Sequence, residues 1–339
     1  MVKTLFPKVS VVIPLYNKAP FIERALHSVL SQTIQDFEII VVNDGSQDGG
    51  EILVRDFKDS RILLINQKNQ GVSAARNHGI DVARSELVAF LDADDEWLPD
   101  FLETILRMRE KWPDAGMYST TWYYQDEKSN TRTLRKTPKV PTNWEGIVPS
   151  TLESAAYALD NSFPGCASSI AVPRKIFCEV GKFNEDAIIW EDPDMWGKIA
   201  LFYPCAHTTI PHAIYYRNET SITANTINPW GNQDPPFIKS YKCILENRGM
   251  YQKFYEDSKH ISLYLDRIYL NMTRLELLAK NKLNARNNLG KIESKSFYLE
   301  IKLYAILSYL PKPILSIVLN WVIVLAKLLR KFRGYLNCK

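Results

Sequence analysis

Apolar and polar positions alternate in two rhythms along the first 125 residues. Short runs rich in Val, Ile and Leu read as strands: "KVSVVIPLYN" from Lys8, "FEIIVVNDGS" from Phe37, "RILLIN" from Arg61, "LVAFLDAD" from Leu87 and "GMYSTTWYYQD" from Gly116. Between them, "APFIERALHSVLSQ", "EILVRDFK", "GVSAARNHGIDVAR" and "WLPDFLETILRMREKW" repeat apolar residues at helical spacing. Strand and helix taking turns predicts an α/β domain built around a largely parallel sheet. In such sheets ligands gather beyond the carboxyl ends of the strands. Three strands end in polar loops, "PLYNKA", "NDGSQDG" and "DADDE", so the three are predicted to share one rim.

The rhythm then loosens. Residues 126–146, "DEKSNTRTLRKTPKVPTNWEG", are polar with two prolines and read as a loop or insert. Apolar order returns in "GCASSIAVPRKIFCEVGKFNE", "AIIWEDPDMWGKIALF" and "TTIPHAIYYR", and residues 218–237, rich in Asn, Thr and Pro, read as a second long loop. After 238 the pattern is mostly helical. Near the end, "SFYLEIKLYAILSYL" and "ILSIVLNWVIVLAKLLRKFR" read as two apolar helices separated at Pro311 and Pro313.

Charge changes the picture only at that end. The net charge is +4, yet residues 311–339 carry Lys312, Lys327, Arg330, Lys331, Arg333 and Lys339 with no Asp or Glu. The rest of the chain is therefore slightly acidic, which argues against a nucleic-acid surface. On a helical wheel Lys312, Ser316, Asn320, Lys327, Arg330 and Lys331 fall in one sector, while Ile314 to Leu329 spans only about 24 Å, short of a bilayer core of roughly 30 Å. An amphipathic segment over 297–333, lying on a membrane surface with its cations toward anionic headgroups, is the expectation. Five cysteines without C-x-x-C spacing and an N-terminus lacking a signal-peptide core favour the cytoplasmic side, hence the inner face of the cell membrane.

The stretch "VAFLDADDEWLPD" aims Asp92, Asp94, Asp95 and Glu96 off the end of a buried strand. Acidic residues before a helix are commonly caps. Carboxylates at i and i+2 can equally share one hard cation with a substrate phosphate. The spacing alone leaves both readings open.

"SVVIPLYN", "VVNDGSQDG", "GVSAARNHGI" and "FLDADD", in this order, together with "GKFNE", "WEDPDMW" and "YYRNETSIT", closely resemble inverting glycosyltransferase family 2 over about residues 8–225. The resemblance implies a GT-A type nucleotide-diphospho-sugar transferase fold, a Rossmann-like mixed sheet flanked by helices. It places a catalytic domain at 1–237, with a nucleotide-sugar half to about 125 and an acceptor half from 126. A helical C-terminal region over 238–339 lies outside it. By the resemblance, Pro14, Tyr16, Asn17 and Asp44 hold the base and ribose, and Arg76 faces the nucleotide or its phosphates. Asp92 and Asp94 hold Mn²⁺ or Mg²⁺ and the diphosphate, which leaves Asp95 as the cap of a helix beginning near Trp97. Asp192 is the general base, with Glu191 the alternative, and Arg217 and Ser221 approach the diphosphate as a loop closes. His212 reads as a packed histidine. Trp190, Trp196 and Trp230 are open between sugar stacking and core.

The activity implied is transfer of a sugar from a nucleotide-diphosphate sugar, UDP-linked by preference, to a hydroxyl of a glycan or lipid-linked saccharide, as in surface polysaccharide synthesis. Two alternatives stand beside it. A sugar-phosphate nucleotidyltransferase would need a Gly- and Arg-rich phosphate loop after the first strand, and "PLYNKAPF" has none. A silent glycan-binding protein with this fold would not need Asp92, Asp94 and Asp192.

Overall fold

The computed structural model describes residues 6–137, 140–148, 165–187, 189–217, 258–293 and 298–311, with a few further positions between 238 and 318. Strand β1 (Val9–Leu15) lies at the middle of a sheet because nearly every residue in it is apolar and buried, the pattern of a strand covered on both faces. It pairs in parallel with β2 (Phe37–Asp44) on one side and β4 (Leu87–Phe90) on the other. Strand β3 (Ile62–Gln67) adds to β2, also in parallel. Beyond β4, β9 (Ile170–Pro173) runs antiparallel to both β4 and β6 (Met117–Asp126). Strand β10 (Cys205–Arg217) then lies parallel to β6. The order β3-β2-β1-β4-β9-β6-β10 is closed by β5 (Glu96–Trp97), antiparallel to β10.

Period-two alternation splits the core. Val9, Val11, Ile13 and Leu15 of β1 pack with helices α1 (Ala19–Leu30) and α4 (Phe101–Lys111), while Val12, Ile40, Val42 and Phe90 form a second core on the opposite face. The second core takes in α3 (Val72–Val82), α5 (Arg174–Val180) and α6 (Glu191–Phe202). Helix α2 (Gly50–Asp56) sits beside α1. A parallel arrangement of β1, β2, β4, β6 and β10 brings all their carboxyl ends to one edge. The three polar loops named from the sequence do share a rim.

Two local expectations are corrected. The helix expected near Trp97 begins at Phe101, because Glu96 and Trp97 are drawn into the sheet by pairing with Ile214 and Ala213. The polar stretch 126–146 is not simply a loop: it carries β7 (Thr131–Leu134) on β6 and the start of β8 (Glu145–Ile147) on β10. Polar composition did not prevent pairing, since an edge strand keeps one side in water. Residues 218–237 lie outside the described residues.

The C-terminal region is helical where described. Helices α7 (Ser258–Leu278), α8 (Lys282–Leu289) and α9 (Tyr298–Tyr309) meet over Leu277, Ala285, Leu307 and Leu315. Helix α9 stops before Pro311, as the missing N–H requires. Its outer face presents Leu303, Ile306 and Tyr309, and Ile314 beyond the proline is exposed too. Most of the segment from 316 onward is outside the described residues. Among the described residues no helix is long and apolar enough to cross a membrane.

Helix α3 lies close on β1, and Gly79 makes that possible: a Cβ there would stand 2.3 Å from Val12 Cγ1. Gly79→Ala should therefore destabilise the protein by about 1–3 kcal/mol, the usual cost of overpacking. Urea unfolding monitored by tryptophan fluorescence measures this. Wild-type stability in the variant would mean that α3 has room to move.

Candidate active site

Two of the rim loops are stitched together before any side chain is offered to a ligand. Asn17 adopts a left-handed φ of 50°, a conformation Asn tolerates better than most residues, and its Oδ1 accepts from Gln47 N–H at 2.9 Å. Its own N–H donates to Ser46 Oγ at 3.1 Å, and Ala19 N–H donates to Asp48 at 2.8 Å. Beside this seam Tyr16 is 45% exposed, with its ring at the rim, and Pro14 is half-buried in β1. Asp44 is buried, and its carboxylate accepts from Gln70 N–H at 2.9 Å, Gly71 N–H at 2.8 Å and Gln67 Nε2 at 2.8 Å. It therefore anchors the loop that delivers α3.

Arg76 on α3 is the hub. Its side chain is 3% exposed, with Nη2 2.7 Å from Asp92 Oδ1 and Nη1 2.8 Å from Glu191 Oε1. Burial works against this charge, but Asp92 and Glu191, with Asp192 behind them, outweigh it and hold its pKa above the ordinary value. The guanidinium thus faces acidic side chains first, as their ion-pair partner. Asp92 and Glu191 come from the end of β4 and the start of α6, on the two sides of the rim.

Asp94 faces the first loop. Its Oδ2 lies 2.5 Å from Lys18 Nζ, and its backbone carbonyl accepts from Arg24 Nη2 at 2.6 Å. Asp92 and Asp94 each have one oxygen in an ion pair, and both side chains keep partial exposure. Two hard oxygen donors at an open rim suit Mn²⁺ or Mg²⁺, which takes one or two carboxylates and fills the rest with phosphate and water. Among the described residues no group of three or more metal-ligating side chains is found, so a cation held by these two carboxylates would take its other ligands from phosphate and water.

Asp95 is not the helix cap. The residue before α4 is Asp100, and Asp95 is 1% exposed, accepting from Ser168 Oγ at 2.5 Å and from Tyr216 N–H at 3.0 Å. Burial, then Asp94 and Asp92, push its pKa well up. The next residue, Glu96, accepts from the Tyr216 hydroxyl at 2.8 Å. The Arg24 guanidinium stacks on that ring at 3.4 Å. Lys18, Ser168 and Tyr216 carried no local signal in the sequence that tied them to these acids.

Helix α6 opens abruptly. Trp190 takes a left-handed φ of 66°, so Glu191, Asp192 and Asp194 fall in the first turn, where the helix dipole favours acids. Pro193 fits there without loss. Burial and the Glu191 carboxylate nevertheless raise the Asp192 pKa to about 7, against the pull of Arg76. Asp194 is buried and paired with Lys198 at 2.5 Å. Trp196 is core, packed on Phe90 and Phe183, and Trp190 is half-buried.

Tyr124 and Tyr215 stand edge to face beside the acids, and burial and the field of Asp95 and Asp92 push the Tyr215 hydroxyl far up. Arg217 at the end of β10 stacks on Tyr124 at 3.7 Å. His212 is packed, bonded to Asp100 at 2.8 Å. Ser221 and Trp230 lie outside the described residues. The structure thus gathers Tyr16, Asn17, Asp44, Arg76, Asp92, Asp94, Glu191, Asp192 and Arg217 along one edge of the sheet.

Residues 10–178 match the family model described as glycosyl transferase family 2. An uncharacterized glycosyltransferase of Rickettsia felis is 32% identical over 202 residues, covering 58% of this chain and 32% of that protein. The uncharacterized glycosyltransferase YibD of Escherichia coli is 38% identical over 122 residues, covering 35% of this chain and 36% of YibD. The chain thus spans about a third of the length of these curated relatives. Among solved structures, S. aureus TarS 1-349 in complex with UDP-GlcNAc superposes with a TM-score of 0.59 at 17% identity, covering 88% of this chain and 89% of that one. At that identity the fold is what is shared.

Arg76→Ala strips the shared cation from two carboxylates, one of them well buried. We expect a loss of roughly 2–4 kcal/mol in urea unfolding, below the full cost of an uncompensated buried charge because Asp92 reaches water. Unchanged stability would show that the two acids find other partners at no cost.

Proposed function

The chain belongs to glycosyltransferase family 2, and we propose that it transfers a sugar, with inversion, from a nucleotide-diphosphate sugar to a hydroxyl of a glycan or lipid-linked saccharide. One observation carries this reading. A single buried arginine ties Asp92, on the donor side, to the helix start that bears Asp192, whose pKa of about 7 suits a base.

On the donor side, Pro14, Tyr16 and Asn17 line the base pocket, with Tyr16 stacking on the base. Asp44 offers the remaining lone pair of its Oδ2 to a base or ribose donor. TarS was crystallised with UDP-GlcNAc, and a UDP-sugar is the donor we infer by analogy. Asp92 and Asp94 would hold Mn²⁺ or Mg²⁺, which when bound offsets the charge growing on the leaving diphosphate. Lys18, now on Asp94, and Arg217 supply further positive charge beside that position.

On the acceptor side, Asp192 takes the proton of the acceptor hydroxyl as its oxygen attacks the anomeric carbon. The bond from that carbon to the diphosphate oxygen breaks on the opposite face, and its electron pair leaves with the nucleoside diphosphate. Glu191 keeps its carboxylate on Arg76, which leaves Asp192 as the freer base. The half-buried Trp190 and the Tyr124–Tyr215 pair are positioned for sugar faces.

The second half of the proposal concerns location. The exposed Leu303, Ile306 and Tyr309 on α9, Ile314 after it, and the basic, acid-free run after Pro311 support a segment that lies on the cytoplasmic face of the cell membrane. A lipid-linked acceptor would then be met at the bilayer surface.

Turnover of UDP-sugars and GDP-sugars with Mn²⁺ or Mg²⁺ tests the activity, and Asp94→Ala should abolish it. Asp192→Asn should lower kcat by about 10²- to 10⁴-fold with donor binding retained. In the wild type, kcat/KM should rise about tenfold per pH unit up to about 7, because the base acts only when deprotonated. The same raised pKa adds stability that is fully present below the unfolded value of 3.8 and lost as pH rises through about 7, a slope that the Asn variant lacks. An Asp192→Asn enzyme of normal rate sinks the assignment of the base. Flotation with anionic liposomes should be lost on truncation after Leu310. Equal flotation by the truncated protein defeats the membrane reading.

A further inference from the structure

Ser168 is 1% exposed and sits in the single 3₁₀ turn Ala167–Ser169 that leads into β9 on the acceptor side. Three contacts bind it to the acidic segment after β4. Its Oγ donates to Asp95 Oδ2 at 2.5 Å and accepts from Asp92 N–H at 3.1 Å, and its carbonyl accepts from Trp97 Nε1 at 2.7 Å. A serine hydroxyl has one hydrogen. With that hydrogen spent on Asp95, a lone pair is left facing the Asp92 amide. The second oxygen of Asp95 accepts from Tyr216 N–H at 3.0 Å, one residue before the end of β10.

We propose that Ser168 and Asp95 act as a clamp that fixes the backbone of the Asp92–Asp94 segment, and so preorganises its two carboxylates for the cation and the donor diphosphate. The inference rests on the reading of Asp92 and Asp94 as the metal pair. Ser168 and Asp95 are positioning residues, because their contacts are with the protein and they act through Asp92. The clamp joins three chain segments that end at the rim: the donor-side loop after β4, the acceptor-side turn before β9, and the end of β10. Preorganised groups lose less on binding and need no reorganisation during reaction, which gives a hydroxyl buried just beneath the rim a functional consequence.

Full-length protein with Ser168→Ala tests the clamp. Ser119→Ala serves as comparator, since Ser119 is another fully buried hydroxyl, bonded to His207 at 2.9 Å away from the acids. Hydrogen exchange of the metal-free protein reads the Asp92 amide, and electron paramagnetic resonance of free Mn²⁺ with UDP present reads the affinity. In Ser168→Ala we expect exchange at Asp92 roughly three- to tenfold faster and Mn²⁺ bound more weakly by a similar factor, the worth of about one hydrogen bond. Ser119→Ala should move neither, whatever it does to the melting temperature. Asp95→Asn keeps an acceptor for Tyr216 N–H but presents an NH₂ group to Ser168, so it should act in the same direction and carries the test if Ser168→Ala does not fold. Wild-type exchange and affinity in the Ser168 variant, or an equal change in Ser119→Ala, would overturn the proposal. Wild-type protein that takes up no Mn²⁺ with UDP present would refute the metal reading by itself, and the exchange comparison would still decide the clamp.

Discussion

A guanidinium almost wholly withdrawn from water, held between Asp92 and Glu191, is the contact on which the site depends. Burying a cation is costly unless its partners are close and fixed, so Arg76 constrains where both acids, and the elements that bear them, can lie. It links the segment after β4 to the first turn of α6, elements far apart in the chain. The two halves of the rim are therefore set at one distance from each other before any ligand arrives. Asp192 inherits its environment from this arrangement. Burial and then the Glu191 carboxylate discourage it from ionising, and Arg76 pulls the other way.

Preorganisation continues outward from that centre. Asp44 spends its carboxylate on the loop that delivers α3, and hence on the placement of Arg76 itself. Asn17 accepts strain in its backbone so that its side chain can close the seam between the loops after β1 and β2. Lys18, just before α1, pairs with the Asp94 carboxylate, and Arg24 in α1 donates to the Asp94 carbonyl. The acidic cluster thus divides its work. Asp92 and Asp94 stay at the rim with partly exposed carboxylates, Asp95 turns inward onto Ser168 and the Tyr216 amide, and Glu96 fastens Tyr216 under the Arg24 guanidinium. Four negative groups in five positions would repel one another strongly if all faced the same way. Their opposed directions, and the cations against them, make the density tolerable.

The C-terminal helices follow a different physical logic. Leu277, Ala285, Leu307 and Leu315 are buried together there, and α9 leaves Leu303, Ile306 and Tyr309 exposed. A helix that buries one apolar side and exposes another has room for a second apolar environment. On the proposed membrane surface, the basic, acid-free run that follows in the sequence would favour anionic headgroups.

Much of this was legible in the chain. Continuous apolar runs named β1, β2 and β4 as buried strands, the helical spacing between them named α1 and α3, and polar loop chemistry placed the site along their carboxyl ends. These are local properties: a period of two or 3.6 and a turn signal need only a few neighbouring residues to be read. The resemblance of the loop motifs added the candidate acids and their roles. Tertiary structure decided the rest. Asp95 reads as a cap in isolation and proves to be a buried anchor, because its partners Ser168 and Tyr216 lie 73 and 121 residues away. Trp97 reads as helix and becomes strand because β10 is there to pair with it. Arg76 carries no mark that distinguishes a phosphate ligand from an ion-pair partner until Glu191 is brought up against it. The sequence determined which segments form and where the chemistry gathers. Which charge meets which was decided only by the packing of distant segments, because desolvation and pairing energies depend on through-space distance and not on position along the chain.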